Sequence, residues 1–267
     1  MIINPYRYVV SGKTPDQVSG LNAWYDATDI DTLFQDSSKT TPVTANDDPV
    51  GCWADKSGNA YDVTNAVALR YPTYKSSGIN SLPSVQGDGG DILTLDYTTP
   101  NVPPLALNSF EFFVVVFHTG SSGLMLHLCE TEQNGGGATT TRMYSGINAG
   151  VADAYARAGG SVDSGDVETS GVTSGVAYLC QARGAGGTFY SSINNSAEES
   201  GSFTNATATL GPPKRGFSLF GFYTPYSESR SSFMTGQIAV VVIYTGALSA
   251  GDRVDIQNYL NDKWAIY

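Results

Sequence analysis

Histidine is nearly missing from this sequence, which has only His118 and His127. Each ends an apolar stretch of strand length. No Gly-x-Ser-x-Gly elbow or Cys-Gly-Ser-Cys signature accompanies them, so the sequence offers no sign of a Ser-His-Asp or Cys-His nucleophile and both are expected to be structural. Cysteine is almost as scarce. The three present, Cys52, Cys129 and Cys180, are too few and too scattered for a disulfide framework or a zinc site. Cys52 adjoins Trp53 and the other two lie in apolar runs, so buried free thiols are expected. No apolar run approaches the ~18 residues of a membrane-spanning helix. The start, Met-Ile-Ile-Asn-Pro-Tyr-Arg7, has no charged segment followed by an apolar one, so synthesis in a cytoplasm without a signal peptide is expected. Positive charge is short as well: 14 Lys and Arg stand against 25 Asp and Glu, a net charge of −11. Such a surface repels phosphate backbones and anionic membranes, which argues against nucleic acid as a partner and fits a surface kept soluble by its own charge. The glycine run Gly184-Ala-Gly-Gly187 lacks the lysine of a phosphate loop and the helix start of a dinucleotide fold, and reads as a hairpin turn.

What is present is glycine, tyrosine and short apolar runs. The chain has 267 residues, 30 of them glycine and 16 tyrosine, a composition suited to many strands joined by tight turns. A β-sandwich of this length commonly forms one domain. Residues 1–18, polar and carrying Pro5 and Pro15, read as an arm or linker, and residues 19–267 as a single domain. Residues 110–117 (FEFFVVVF) and 237–244 (QIAVVVIY) are continuous apolar runs rich in β-branched and aromatic residues, as central strands of a sandwich require. Weaker strand signals cover 92–95, 124–128, 177–182, 188–193 and 217–222. The glycine-rich stretches 134–138 and 158–160 read as loops. Near the C-terminus, Ser249-Ala-Gly-Asp252 resembles a capping box, and Ile256, Tyr259, Leu260 and Trp264 then fall on one helical face.

Two kinds of binding chemistry deserve weighing against simpler roles. Asp88 and Asp91, and separately Asp26, Asp29 and Asp31, are clustered hard oxygen donors that could hold calcium with backbone carbonyls of a Gly-rich loop. Neither cluster has EF-hand spacing, and Asp with Gly also forms tight turns unaided. Tyr144, Tyr155, Tyr190, Tyr223 and Tyr226 lie near Gly- and Ser-rich segments, where an exposed ring could stack on a sugar. Tyrosines of this kind also simply cap sandwich edges.

Several segments together resemble the laminin-G-like jelly-roll domains of bacteriophage structural proteins. They are Leu21-Asn-Ala-Trp-Tyr-Asp-Ala27, Trp53-Ala-Asp-Lys-Ser-Gly-Asn59, Gly78-Ile-Asn-Ser-Leu-Pro-Ser-Val85, Gly236-Gln-Ile-Ala-Val-Val-Val-Ile-Tyr244 and Tyr259-Leu-Asn-Asp-Lys-Trp264. A strand that reads Phe-Asp-Gly in the family reads Gln86-Gly-Asp88 here. The resemblance covers roughly residues 20–100 and 215–267 and is faint between them. It implies an all-β fold: an antiparallel two-sheet jelly-roll sandwich of the concanavalin A/laminin-G-like kind, closed by a short C-terminal capping helix. It further implies a virion structural protein on a tail tip, fibre or capsid surface, tied to other virion proteins through the N-terminal arm, assembled with copies of itself and open to host glycans. A free carbohydrate-binding lectin is the alternative. Glucanases of this fold carry Glu-x-Asp-x-Glu on one strand; Glu130-Thr-Glu132 is the nearest approach and lacks the central Asp, so no enzymatic activity and no cofactor beyond possible calcium are expected.

Overall fold

The computed structural model describes residues 12–95, 109–134, 137–158, 163–202, 215–224 and 229–267. Among the described residues, nineteen strands, numbered in chain order, form two large antiparallel sheets and a small hairpin, and a single α-helix follows them. The first sheet runs from β15 (Glu199–Ser202) through β14 (Thr188–Ile193), β13 (Ala177–Ala185), β8 (Ser109–His118), β19 (Thr235–Thr245) and β6 (Leu82–Asp88) to β5 (Thr73–Ile79). β1 (Leu21–Asp26) pairs with the second half of β19, beyond the point where β6 leaves it. The second sheet runs from β12 (Asp163–Ser170) through β11 (Val151–Ala158), β10 (Gly137–Asn148), β9 (Ser122–Asn134), β16 (Arg215–Leu219), β7 (Leu93–Leu95), β4 (Val63–Thr64) and β3 (Cys52–Trp53) to β2 (Leu33–Phe34). The hairpin pairs β17 (Phe222–Thr224) with β18 (Ser229–Ser231). The molecule is therefore a jelly-roll sandwich, as the sequence leads one to expect.

The two apolar runs become β8 and β19, which lie side by side at the centre of the first sheet. Their continuity has a physical cause: both faces are covered. Alternate residues Phe110, Phe112, Val114, Ile238, Val241 and Ile243 face the second sheet and join its Leu126, Phe217 and Leu219 in the main core. Phe113, Val115, Val240, Val242 and Tyr244 form a second core on the opposite face. It is closed by α1 (Ala250–Trp264), which contributes Ile256, Leu260 and Trp264. The helix begins as its sequence suggests: Ser249 is the N-cap, and its Oγ accepts from the Asp252 N–H at 3.1 Å. Within the segment read as an arm, residues 12–18 lie against this face. Val18 is buried, the Tyr244 hydroxyl donates to the Pro15 carbonyl at 3.0 Å, and Lys13 pairs with Asp252 on α1 at 2.5 Å. The rest of that segment, residues 1–11, lies outside the described residues.

The motif Trp53-Ala-Asp-Lys-Ser-Gly-Asn59 is a clasp. Asp55 accepts from the backbone N–H of Trp24 and Ser57, each at 2.9 Å, from the Ser57 hydroxyl at 2.6 Å and from the Tyr61 N–H at 3.2 Å. Ser57 and Asn59 both donate to the Asn22 carbonyl, and Lys56 reaches over the Trp24 ring to Asp29. One carboxylate thus fastens the loop after β3 to β1 in the other sheet. Hydrogen bonds to a charged group contribute about 1.5–3 kcal/mol each and act non-additively here, so Asp55→Ala is expected to destabilise the fold by about 3 kcal/mol. Urea denaturation of the two proteins checks this, and a loss of under ~1 kcal/mol would contradict the clasp.

Two readings meet a different outcome. Residues 134–138 and 158–160 were expected to be loops, yet β9, β10, β11 and β12 run up to these stretches as long paired strands; residues 135–136 and 159–162 lie outside those described. The weak signal over 217–222 divides at Phe220 and Gly221 between β16 and β17. The aspartates weighed as possible calcium donors also make contacts within the protein. Asp91 accepts from the Asp88 N–H at 3.0 Å, and Asp88 accepts from the Gly90 N–H at 2.8 Å, so this pair closes the turn after β6. Burial pushes the Asp91 carboxyl up to about 6. Asp26 is held by Lys263 and Thr28 and Asp29 by Lys56, lysines that already supply the positive charge. Among the described residues, no three or more His, Cys, Asp and Glu side chains gather as a metal site would need. Cys52 and Cys180 are buried and free, and burial raises both thiols to about 12, which keeps them inert. No described helix is long and apolar enough to cross a membrane.

Candidate functional site

The site grows from the four-stranded half of the second sheet that the sequence shows least clearly. β9 and β10 pair in register until Ser145, where β9 carries one extra residue, Met125. The bulge requires glycine at 146, because a Cβ there would lie 2.7 Å from Leu124 Cδ2 and 2.9 Å from the Gly123 carbonyl. β10 then turns into β11 through Ala149 and Gly150, at φ +47° and +93°, the geometry of a tight hairpin with both central residues left-handed. Facing inward are small or apolar side chains, Ile147, Ala152, Ala154 and Val167, which belong to the main core.

On the outer face the ladder sets a row of aromatic and polar residues. Tyr155 of β11 stands opposite Tyr144 of β10, Tyr144 opposite His127 of β9, and His127 opposite Ser218 of β16. The β17 end of the small hairpin lies over this row: the Phe222 ring centre is 4.2 Å from that of His127, and His127 is fully buried. Beside the covered part is a cavity of about 260 Å³ that holds the half-buried Tyr144, with Asp153, Asn148 and Ser122 on its walls and Gly146 leaving its floor open. Asp153 faces Gly146 across the ladder, two residues along β11 from Tyr155, and is 8% exposed. An aromatic ring next to a carboxylate and an amide is a chemistry that fits a sugar: the ring covers the apolar face and the oxygens accept from hydroxyls.

A larger cavity of about 490 Å³ adjoins the first at the end of the sandwich, where the loops after β8, β10 and β12 meet. Ile147 lines both, and their walls meet at Ser121 and Ser122 and at Asn148 and Ala149. The larger cavity is bordered by His118, Gly120, Ser121, Val172 and Ser174. His118 is 1% exposed; one ring nitrogen bonds the Ser122 backbone, and Nε2 has no hydrogen-bond partner among the described residues. Burial lowers its pKa, with the Ser122 contact opposing, so the ring is neutral at pH 7. Ser174 Oγ donates to the Thr119 carbonyl at 3.0 Å and ties two of the loops together.

Of the tyrosines singled out from sequence, Tyr144 lies in the smaller cavity and Tyr155 is its ladder partner, although the Tyr155 side chain is outside the described set. Of the other three, two lie elsewhere in the described structure. Tyr190 is on β14 of the first sheet, under the Arg183 guanidinium at 3.5 Å, and Arg183 is itself held by Glu198. Tyr223 is 3% exposed within the hairpin, with Arg230 at 5.0 Å from its ring, which leaves it no face for a sugar. Tyr226 is outside the described residues. Glu130 and Glu132 sit on β9 opposite Thr141 and Thr139, with side chains outside the described set. Sequence reasoning missed Asp153. The signal that could have found it is Asp153-x-Tyr155, a two-residue alternation that places an acid and an aromatic on one side of a strand.

No family model matches the chain, and no curated protein matches it. Solved structures do. Domain 4 of AbnA, a GH43 extracellular arabinanase from Geobacillus stearothermophilus in complex with arabinotriose, superposes with a TM-score of 0.58 at 16% identity over 89% of this chain and 98% of that one. A GH54 α-L-arabinofuranosidase mutant gives 0.57 at 12% identity over 92% of this chain and 64% of that one. Trypanosoma rangeli sialidase in complex with sialic acid gives 0.53 at 12%, over 92% of this chain and 33% of the enzyme. At these identities the likeness is one of fold: all three contain a β-sandwich of this architecture.

Proposed function

We propose that this chain is a carbohydrate-binding β-sandwich module with no catalytic centre of its own. The observation that carries the reading is the cavity on the second sheet, where the Tyr144 ring adjoins the Asp153 carboxylate and the Asn148 amide. Support comes from the similar AbnA domain, which matches nearly end to end and whose structure holds arabinotriose. The arabinofuranosidase and sialidase neighbours add glycan-active proteins that include such a sandwich.

The test is a glycan array followed by calorimetry on the purified chain, with neutral arabino-, galacto-, manno- and gluco-oligosaccharides beside sialyl and uronic acid glycans. Saturable binding is expected, and Tyr144→Ala is expected to weaken it by about tenfold or more, roughly the 1.4 kcal/mol that a stacked ring and its buried area supply. Asp153→Asn should weaken it too while leaving the fold intact. An array without a hit, or a hit that both variants bind as well as the parent, would refute the proposal.

Display on a bacteriophage particle is the finer reading, and the resemblance of residues 20–100 and 215–267 to virion jelly-roll domains supports it. In that setting residues 1–11 are the attachment segment. Deleting them should abolish incorporation into particles and leave the sugar affinity unchanged. A free lectin would show that affinity with no particle to join.

A further inference from the structure

The larger cavity lies on a different side of the second sheet from the Tyr144 ring. Phe110, Phe112, Val114 and Val116 of β8 point into the main core, and alternation sends His118 the same way at the end of the strand. Ile147 and Val172, which are also core residues, border the same cavity. It therefore enters the sandwich between the two sheets, and at about 490 Å³ it falls within the ~300–1,000 Å³ of ordinary ligand pockets. Its rim is laced by main-chain hydrogen bonds. The Gly175 N–H donates to the His118 carbonyl at 2.7 Å, the Ala149 N–H to that of Ser121 at 2.9 Å and the Val172 N–H to that of Gly150 at 3.0 Å. A ligand entering here meets loops that are already fixed, so little ordering entropy opposes it.

The polar group at this site is well defined. The bond between His118 and the Ser122 backbone favours the protonated ring, so in it an imidazole N–H donates to the carbonyl. A neutral imidazole has a single N–H, and this bond uses it, which leaves Nε2 a bare lone pair. The lone pair faces the cavity: a Cβ on Gly120, one of the lining residues, would lie 3.5 Å from Nε2. Buried acceptors are normally satisfied, and this one, in a residue 1% exposed, has no partner among the described residues. It calls for a donor, and Ile147 and Val172 beside it call for apolar surface on the same ligand.

We infer that this cavity is a second ligand site, separate from that of Tyr144, for a compact cyclic alcohol whose hydroxyl donates to His118 Nε2 and whose apolar edge lies on Ile147 and Val172. A deoxyhexose, with its methyl group, and a simple alicyclic alcohol share this chemistry. The inference does not rest on the carbohydrate reading of the Tyr144 cavity, and either can fail alone.

The experiment is a titration of the full ¹⁵N-histidine-labelled chain at pH 7, followed by imidazole NMR and calorimetry. The probes are cyclohexanol; cyclohexanone, which has its shape without the donor; and the methyl glycosides of L-fucose and L-galactose, which differ in carrying a methyl or a hydroxymethyl group. Cyclohexanol is expected to shift the His118 Nε2 signal saturably and to leave His127, on the outer face, unmoved. Cyclohexanone should bind at least about tenfold more weakly. The fucoside binding more tightly than both cyclohexanol and the galactoside would support the site with a deoxyhexose as its ligand. Cyclohexanol binding more tightly than either glycoside would support it with a non-sugar alcohol.

Two variants remove the acceptor by different routes. His118→Leu deletes it. Gly120→Val covers it, since a Cβ there meets its nearest neighbours at 3.5 Å, ordinary contact, and the added methyl groups then stand over Nε2. Each should lose at least about tenfold in cyclohexanol affinity, and Gly120→Val should melt with the parent, so it decides alone if His118→Leu does not fold. Tyr144→Ala should bind cyclohexanol as the parent does. The site is overturned if no probe shifts His118 saturably, if alcohol and ketone bind equally, or if Gly120→Val binds as the parent does. A response that Tyr144→Ala abolishes would overturn its separateness.

Discussion

Arg253→Met is expected to destabilise the protein by about 3–5 kcal/mol at pH 7, the cost of leaving a buried carboxylate without its counter-ion. The carboxylate is that of Glu111 on β8, which is fully buried under α1. Arg253 grips it with both arms: Nε is 2.5 Å from Oε1 and Nη2 is 3.0 Å from Oε2. Gln181 donates to the same Oε1 at 2.6 Å, and Gln257 of the helix donates in turn to Gln181 at 2.6 Å. The helix is thus held to the first sheet by a polar network at its N-terminal end and by an apolar one further along. The pH dependence follows from Glu111. Burial raises its pKa, with the Arg253 contact as the main opposing effect. A carboxyl raised in the folded state costs stability as pH climbs above its unfolded value of about 4.3, and that cost is absent below it. Removing Arg253 takes away the opposing effect and enlarges the cost at neutral pH. The difference in unfolding free energy between parent and variant should therefore shrink on going from pH 7 to about pH 4. The double variant Glu111→Leu/Arg253→Met should recover most of the loss, since apolar replacements of a buried pair are often neutral. Denaturation at the two pH values, in all three proteins, measures this. A loss equal at both pH values would mean that packing of the arginine stem, and not its charge, is what matters.

The contrast between this network and the apolar core shows what one chain of letters discloses. β8 and β19 are legible because they are covered on both faces and so lose the alternation that half-buried strands show. Helix α1 is legible because Ile256, Leu260 and Trp264 repeat at its period. The hairpin at Gly186 and Gly187 is legible because both residues adopt positive φ, at +57° and +90°. β10, β11 and β12 escape notice for the opposite reason. Several of their inward residues, such as Ala152, Ala154 and Ser145, are too small to contrast with outward threonines and aspartates, and their glycines read as loop. The site inherits this blindness. Tyr144 and Tyr155 can be picked out singly, but that they are ladder partners, with Asp153 beside them, depends on a register set by the bulge at Met125 and the turn at Gly150. Asp26 illustrates the limit from the other side: it resembles a metal donor only while Lys263, 237 positions away, is out of sight.

Trp264→Ala is expected to cost about 3–5 kcal/mol, as truncation of a fully buried aromatic does. Trp264 is the last residue of α1 and wholly buried with Leu260, Ile256 and Trp24 against Val240, Val242 and Tyr244 of the first sheet. The chain beyond it is also tied down. Asn80 donates to the Trp264 and Ala265 carbonyls at 2.7 and 3.0 Å, and Ala265 ends the helix in a left-handed conformation whose N–H returns to Asn261. An Ala at 264 leaves a void where the helix is already ending, so its last turn and the second core should loosen together. Val254 on the same helix is 50% exposed, and Val254→Ala should change stability by no more than about 0.5 kcal/mol. Because α1 covers the first sheet and the Tyr144 cavity lies on the second, the Trp264 variant should keep the parent's sugar affinity at any temperature where it remains folded. Thermal unfolding and calorimetry on the two variants measure both quantities. Equal losses at 264 and 254 would show that the helix does not stabilise the sandwich, and a fall in sugar affinity at 264 would show that the two faces are coupled through the core.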